Sequence, residues 1–414
     1  MNPRRAHNQH TGARDGFEVV VGAAAGTLRR VSSARAFTIG IIGGGQLARM
    51  MHAASIGLGI NVRLLAEGPD VSAATVVHDV TVGDYTDPET VRAFAAGCDV
   101  ITFDHEHVPT GLLRDLESAG VLVRPGAAAL VHAQDKAIMR DRLTALGAPC
   151  PISRVVTDAP ALIAFADEHG WPVIAKTSRG GYDGKGVWKL EGPAETDRPF
   201  DGLATGVQII AEEFIDFARE LSALVVRSPS GQAAAYPISE SVQRNGICVQ
   251  TITPAPGLTD DQSMAAQQLA LTIAHELGVV GVLAVELMER ADGSIVVNEL
   301  AMRPHNTGHW TIDGAHTSQF ENHLRAVLDL PLGDPSARAP WTVMSNLLGG
   351  AVDDLPSALV HCFARDRRLR VQLYGKSVRA GRKVGHVTAY GDDLEHVRAR
   401  AEHAAAYLMG DPNA

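Results

Sequence analysis

The stretch Gly281 to Leu300, G-V-L-A-V-E-L-M-E-R-A-D-G-S-I-V-V-N-E-L, narrows what the chain can fold into. Two apolar runs flank Asp292-Gly293, a pair that favours the two-residue turn of an antiparallel hairpin. Such a turn sets Glu286 directly opposite Glu299 on one face of the sheet, with Cβ atoms about 5 Å apart. Like charges so placed destabilise a sheet unless something lies between them. A shared proton is one answer. A divalent cation is the better one, because hard oxygen donors with Asn298 alongside suit magnesium carrying nucleotide phosphates. A longer turn would slip the register and remove the pairing.

A second stretch, Lys176 to Gly186, reads K-T-S-R-G-G-Y-D-G-K-G and follows the apolar run Trp171–Ala175. Gly180, Gly181, Gly184 and Gly186 allow positive φ and let backbone N–H groups converge on one point. Lys176, Arg179 and Lys185 surround that point with positive charge, so a polyphosphate is the natural guest. No G-x-x-x-x-G-K-[S/T] precedes a helix, so this is not a Walker loop. With Gly186–Leu190 as its second strand, the stretch becomes a hairpin lid able to cover a ligand. A solvated surface turn is the plainer alternative. After the Glu299 strand comes Arg303-Pro304-His305-Asn306-Thr307-Gly308-His309-Trp310-Thr311, too dense a polar set for core and therefore an active-site loop.

Nearer the start, strand Phe37–Ile42, Gly43-Gly44-Gly45 and a helix from Gln46 to about Gly57 fit G-x-G-x-x-A. Val62–Ala66 then ends at Glu67, the offset a dinucleotide fold uses for its ribose-binding acid. An NAD-dependent oxidoreductase is thus a rival, although the same geometry offers a helix N-terminus to any phosphate. Strand Val100–Phe103 runs into Asp104-His105-Glu106-His107. Alternation puts the two acids on one face and the histidines on the other, which disfavours one four-ligand metal centre and leaves a substrate-facing acid.

A helix from Ala127 to Leu146 carries Lys136 and Arg140. Pro149 and Pro151 mark a hinge beyond it. Strand Val207–Ala211 ends in Glu212-Glu213-Phe214-Ile215, and Glu220 opens strand Leu221–Val226. Backbone groups of such a segment can read an adenine edge while an acid holds ribose hydroxyls; solvated strand-end acids are the equal alternative. A helix from Ser318 to Leu328 and a linker of Pro331, Pro335 and Pro340 lead to a last module. Its strands are expected at Val343–Leu348, Leu359–Phe363 and Gly385–Ala389, closed by a helix from Leu394 to Met409. Lys376, Arg379, Arg382 and Lys383 surround glycine turns there, a solvated face by default and a phosphate clamp in an acidic protein.

With 37 Lys and Arg against 47 Asp and Glu the net charge is −10, which argues against a nucleic-acid partner. Four scattered cysteines without a C-x-x-C pair suit reduced thiols in the cytoplasm. No apolar run approaches the ~20 residues of a membrane span. Residues 1–36 hold six arginines and no apolar period, so they are expected to be a disordered extension or the product of an upstream start codon.

Four stretches, G-G-G-Q-L-A-R-M from Gly43, G-G-Y-D-G-K-G from Gly180, N-E-L-A-x-R-x-H-N-x-G-H-W-T from Asn298 and G-R-K-x-G-H from Gly381, occur in collinear order. With the lid and the opposed acids they resemble the ATP-grasp superfamily. Within it they resemble the 5-(carboxyamino)imidazole ribonucleotide synthases of purine biosynthesis, from about Phe37 to Ala389. The resemblance implies an α/β enzyme, α+β in parts. A Rossmann-like domain would span 37–130, an ATP-grasp domain 131–335 with its lid at about 140–206, and a small β-rich domain 340–414. It implies carboxylation of the exocyclic amine of aminoimidazole ribonucleotide with ATP and bicarbonate, by a cytoplasmic homodimer with no membrane or nucleic-acid partner.

Carried over residue by residue, Lys136, Lys176 and the lid glycines Gly181, Gly184 and Gly186 would hold the nucleotide phosphates. Glu212, Glu213, Ile215 and Glu220 would hold its adenine and ribose side. Glu286 and Glu299, with Asn298, would hold magnesium. Gln46, Leu47, Glu106, Asn306, Lys376, Arg382 and Lys383 would hold the aminoimidazole ribonucleotide, and Tyr182, Asp183, Lys185, Arg303 and His305 would line the bicarbonate pocket. Asp104 stands where the family more often has Glu, and Lys136 where Arg is common; both keep their charge. The alternatives are a formate-using ATP-grasp ligase such as a glycinamide ribonucleotide transformylase, and a nucleotide sensor without activity.

Overall fold

The computed structural model describes residues 35–180 and 185–411. Residues 1–34 of the expected extension, and Gly181, Tyr182, Asp183 and Gly184 of the lid, lie outside the described residues.

Four parallel strands open the fold, side by side in the order Asp79–Val82, Asn61–Ala66, Thr38–Ile42, Val100–Phe103. Parallel strands need crossovers that cover both faces, so Ile39, Ile41, Ile42, Leu64 and Leu65 are buried on each side. Helix Gln46–Gly57 makes the first crossover, as the glycine fingerprint leads one to expect.

The segment expected as one helix from Ala127 to Leu146 is two, Ala127–Gln134 and Lys136–Ala145. Asp135 breaks it. Its carboxylate accepts from Ala137 N and Ile138 N at 3.0 and 3.2 Å and from Arg179 Nε at 2.8 Å. An aspartate that can cap a new helix competes with helix continuation. The break sets Lys136 at the first residue of the second helix.

A small antiparallel sheet follows, in the order Ser153–Val156, Ile209–Glu213, Val173–Thr177, Val187–Leu190. Helix Ala159–His169 covers one face through Leu162, Phe165 and Ala166 against Val173, Ala175, Ile209 and Ala211. Strand alternation then sends Lys176 to the opposite face. Gly186 closes the hairpin at φ 70°, where an added Cβ would lie 2.6 Å from Thr177 Oγ1. Only glycine fits there.

The largest sheet is antiparallel and runs Ile295–Ala301, Gly281–Glu289, Arg219–Arg227, Ser239–Arg244, Ile247–Thr253, Trp341–Leu348, Lys383–Gly391, Arg370–Leu373, with Ala233–Ala235 beside Arg219–Arg227. Helix Asp260–Glu276 buries Ala266, Ala270, Ile273 and Ala274 against Leu221, Ala223, Val225, Leu283 and Val285. Leu224, Val226, Val282 and Ala284 face Trp310 and Ala326 on the other side. Because both faces are covered, these strands are continuously apolar. The C-terminal strands join this sheet through Thr253 opposite Thr342, so the last module is no separate layer. One element differs from expectation. Leu359–Phe363 lies within helix Leu355–Arg365, capped by Asp354 on Ser357 N, with Leu355, Leu359 and Cys362 at helical spacing against the core. Among the described residues no helix is long and apolar enough to cross a membrane.

Ending the chain at Pro340 should leave Ile247–Thr253 as an unpaired apolar edge, which promotes aggregation. Size-exclusion chromatography of that truncation is expected to show aggregate; a monodisperse folded species would mean that the last module is independent.

Candidate active site

The hairpin that organises the sequence has one residue more in its turn than expected. Arg290 N bonds Ser294 O at 2.8 Å and Gly293 N bonds Arg290 O at 2.9 Å, around Gly293 at φ 83°. Glu289, Met288 and Leu287 accordingly face Ile295, Val296 and Val297. Continued unchanged, that register would put Glu286 opposite Asn298. A β-bulge intervenes, and Glu286 faces Glu299 after all. Two one-residue deviations cancel. Both acids still open to the cleft, with 29% and 41% of their side chains exposed.

Arg140 holds the bulge. Its Nη1 and Nη2 donate to Val297 O and Asn298 O at 3.0 and 2.7 Å, and its Nε to Glu212 Oε1 at 2.7 Å. The other Glu212 oxygen pairs with Lys176 Nζ at 2.7 Å, and Lys176 also reaches Asn298 Oδ1 at 3.3 Å. Burial pushes the Glu212 carboxyl up, yet Lys176 and Arg140 outweigh it and hold the pKa at about 2. Glu212 was expected beside adenine and ribose. Its two oxygens are instead taken by these cations, because a carboxylate 2% exposed requires full pairing. Arg140 was given no role by sequence reasoning. The available signal was its i,i+4 spacing from Lys136, which puts both on one helix face.

The remaining basic side chains of the floor are paired as well: Lys136 with Glu299 at 3.0 Å, His305 Nε2 with Glu286 at 3.1 Å, and Arg303 with Glu106 at 2.8 Å. Ser222 Oγ lies 2.7 Å from Thr307 Oγ1, which is 2.8 Å from His305 Nδ1, so the polar loop is pinned to the central strand. Burial would raise Glu286, but its bond to His305 and the charges of His305, Arg303 and Lys383 lower it overall. Glu220 goes the other way, pushed up to about 7 by burial and by Glu286. Glu213 accepts from Ile152 N at 3.0 Å, and Ile215 packs on Met288 and Val296. Lys185 is exposed at the end of the lid hairpin.

Across the cleft, Lys376 Nζ donates to Gln46 Oε1, and Arg382 Nη1 to Ser377 Oγ at 2.8 Å. Burial and the neighbouring Arg382 and Lys383 lower the Lys376 pKa, as expected where cations converge. Leu47 is buried beneath, and Asn306 opens the turn Asn306–Gly308. The first helix does not offer its N-terminus to a phosphate. Gly45 N and Ala48 N donate to the buried Asp104 carboxylate, and Gly44 N to Glu67 at 3.0 Å. A Cβ on Gly45 would lie 2.2 Å from Asp104 Oδ2, so the resident acid occupies the place a dinucleotide pyrophosphate requires. Asp104 is therefore a helix cap rather than a substrate-facing acid.

Among the described residues no group of three or more His, Cys, Asp or Glu side chains is placed to hold a metal ion. Glu286, Glu299 and the Asn298 amide oxygen are nonetheless an all-oxygen set of the kind magnesium takes when phosphate oxygens complete its shell, so the residues fit that ion.

This arrangement of a hairpin lid, opposed hairpin acids and a parallel-sheet domain is that of an ATP-grasp enzyme. Sequence profiles agree: an ATP-grasp domain matches residues 141–320, a ribonucleotide synthetase preATP-grasp domain 36–134, and a phosphoribosylaminoimidazole carboxylase C-terminal domain 342–400. The N5-carboxyaminoimidazole ribonucleotide synthase of Mycobacterium tuberculosis is 54% identical over 91% of this chain and 89% of its own. A carboxyaminoimidazole ribonucleotide synthase of Aspergillus clavatus, solved with ATP, matches with TM-score 0.83 at 30% identity, covering 90% of this chain and 98% of that one. Its complex with ADP and 5-aminoimidazole ribonucleotide matches with TM-score 0.82 at 28% identity, with the same coverage. The chain belongs to the N5-carboxyaminoimidazole ribonucleotide synthase family of ATP-dependent ATP-grasp ligases.

Arg140→Met should cost about 3–5 kcal/mol in urea denaturation, because it leaves one buried Glu212 oxygen and two bulge carbonyls without donors. The two perturbed acids act in opposite pH windows. Glu212, held near 2 from an ordinary 4.5, contributes stability that is present above 4.5 and lost as pH falls through 2. Glu220, raised to about 7, contributes stability that is present below 4.5 and lost as pH rises through 7. Denaturation series of Glu220→Gln should therefore lack a loss of stability that the unmodified protein shows between those two values.

Proposed function

We propose that this chain carboxylates the exocyclic amine of 5-aminoimidazole ribonucleotide, using ATP and bicarbonate, in purine biosynthesis. The observation that carries this reading is the Glu286–Glu299 pair, flanked by Lys136 and Lys176 on one side and by Arg303 and His305 on the other. The relatives' shared name, and the 5-aminoimidazole ribonucleotide bound to one of them, support it over the formate-using alternative.

In this scheme Lys136 exchanges Glu299 for a phosphate oxygen of ATP, Lys176 turns a further N–H to the phosphates while keeping Glu212, the backbone of Glu213 to Ile215 reads the adenine edge, and Glu220 meets the ribose. Glu286 and Glu299, with Asn298 beside them, would hold magnesium, which when bound neutralises charge developing on the phosphates. A bicarbonate oxygen attacks the γ-phosphorus, the bond to ADP breaks, and carboxyphosphate results. The amine then attacks its carbon, phosphate leaves, and the nitrogen gives up one proton. Gln46, Lys376, Arg382 and Lys383 hold the ribonucleotide, while Glu106 orients Arg303 toward the bicarbonate. His305, held between Glu286 and Thr307, or Asp183, outside the described residues, would receive that proton. The lid expected over Gly180–Gly186 would keep water from the acyl phosphate. The four cysteines are free, which supports a cytoplasmic setting; a homodimer rests on family resemblance alone.

ADP release from purified protein should require bicarbonate and 5-aminoimidazole ribonucleotide together. Release driven by formate and glycinamide ribonucleotide would overturn the reading. Glu299→Gln should lower kcat by about 10²-fold or more, and near-normal magnesium-dependent turnover would remove the metal assignment.

A further inference from the structure

Two histidines of the quoted motifs, His309 and His386, take no part in that chemistry, yet the fold brings them together. One closes the polar loop after the hairpin, and the other lies on strand Lys383–Gly391 of the last module. Both are fully buried, with ring centroids 5.1 Å apart.

Their tautomers follow from their partners. Gln319 Oε1 accepts from His305 N at 2.8 Å, which fixes the side-chain amide so that Nε2 donates. That Nε2 gives one hydrogen to His305 O at 2.7 Å and the other to His309 Nδ1 at 3.2 Å. His309 Nδ1 is therefore an acceptor, and its proton sits on Nε2. On the other ring, Nδ1 lies 2.7 Å from the buried Tyr374 hydroxyl. No other acceptor for that hydroxyl is found among the described residues, so it donates to Nδ1 and again leaves the proton on Nε2. Burial keeps both rings neutral, lowering His386 to about 3 and His309 well below its ordinary value.

Two buried N–H donors thus point into the core, and neither Nε2 has a protein partner. Asn346 stands directly opposite His386 across the sheet. Its Nδ2 donates to Cys248 O at 2.9 Å, which leaves its buried Oδ1 without a donor. Thr388 Oγ1, two residues along the strand from His386 on the same face, is buried and unpartnered too, as is Asn306 Nδ2. Interiors rarely leave such groups unpaired, and a water needs two to four polar partners converging on one point. Two donors on rings 5.1 Å apart and an acceptor directly across the strands from one of them supply that number.

We infer that His309 and His386, with Asn346, hold an internal water, and that through it they position the two walls of the ribonucleotide pocket against each other. The connections on either side are direct. Gln319 ties His309 to the backbone of His305, next to Asn306. Tyr374 ties His386 to the segment that carries Lys376, and its carbonyl takes Ser72 Oγ at 2.6 Å from the first domain. Both histidines are positioning residues, since neither reaches the reacting atoms.

The inference rests on the ribonucleotide reading above and is tested so that the two can fail separately. His309→Phe and His386→Phe keep a ring and remove the nitrogens. Each should raise KM for 5-aminoimidazole ribonucleotide by about tenfold or more while KM for ATP stays unchanged. His309→Gln, which can accept from Gln319 and donate to the water, should recover part of the loss. An unchanged ribonucleotide KM, or a parallel rise in both KM values with no rescue, overturns the inference. A high-resolution crystal structure of the unmodified protein gives an answer even where the variants do not fold. Water density within hydrogen-bond distance of both Nε2 atoms supports the inference, and dry, directly paired imidazoles overturn it. Unmodified protein that fails to turn over the ribonucleotide would condemn the parent reading instead, with that density still deciding this one.

Discussion

The buried carboxylate of Glu212 is the contact on which the rest of the site depends. Removing a carboxylate from water is costly, and here two cations within 2.7 Å, Arg140 and Lys176, outweigh that cost. The three residues come from a helix, from the middle of the small sheet and from the strand that leads into the lid. Arg140's other donors grip the two carbonyls of the bulge in the largest sheet. One ion cluster thereby sets the lid strand against the hairpin acids, and it aims Lys176 and Asn298 at a common point.

A second regularity follows from low local dielectric. Lys136, Lys176 and Arg303 each face a carboxylate, because isolated buried charge is expensive. In the proposed reading, ligand binding at such a floor exchanges partners, a phosphate oxygen taking the place of Glu299 at Lys136. The first helix shows the same economy of charge. Its N-terminus, which in a dinucleotide fold would meet pyrophosphate, meets Asp104, so the fingerprint G-x-G-x-x-A survives as geometry without its usual ligand.

Much of this was legible in the sequence where chemistry and periodicity agree. The parallel βαβ start, the hairpin acids, the lid strands and the closing helix Leu394–Met409 all stand where apolar spacing puts them. The Glu286–Glu299 pairing was right for incomplete reasons. A one-residue longer turn and a one-residue bulge cancel, and neither leaves a mark in apolar spacing. The helix at Leu355–Arg365 was mistaken for a strand because five residues, Leu359 to Phe363, satisfy either period. The roles of Arg140 and Glu212 were hidden for another reason: they are separated by 72 positions and meet only through tertiary packing. Asp104 shows the remaining limit. It reads in the sequence as a substrate-facing acid, and it caps a helix instead.

The central claim is that these residues assemble a site in which bicarbonate is phosphorylated before it meets the amine. Turnover with ATP, 5-aminoimidazole ribonucleotide and bicarbonate fully labelled with oxygen-18 tests it most directly, by mass spectrometry of the phosphate released. Phosphate carrying one heavy oxygen from bicarbonate is the predicted result. Phosphate without label, formed at the rate of product, would contradict the account.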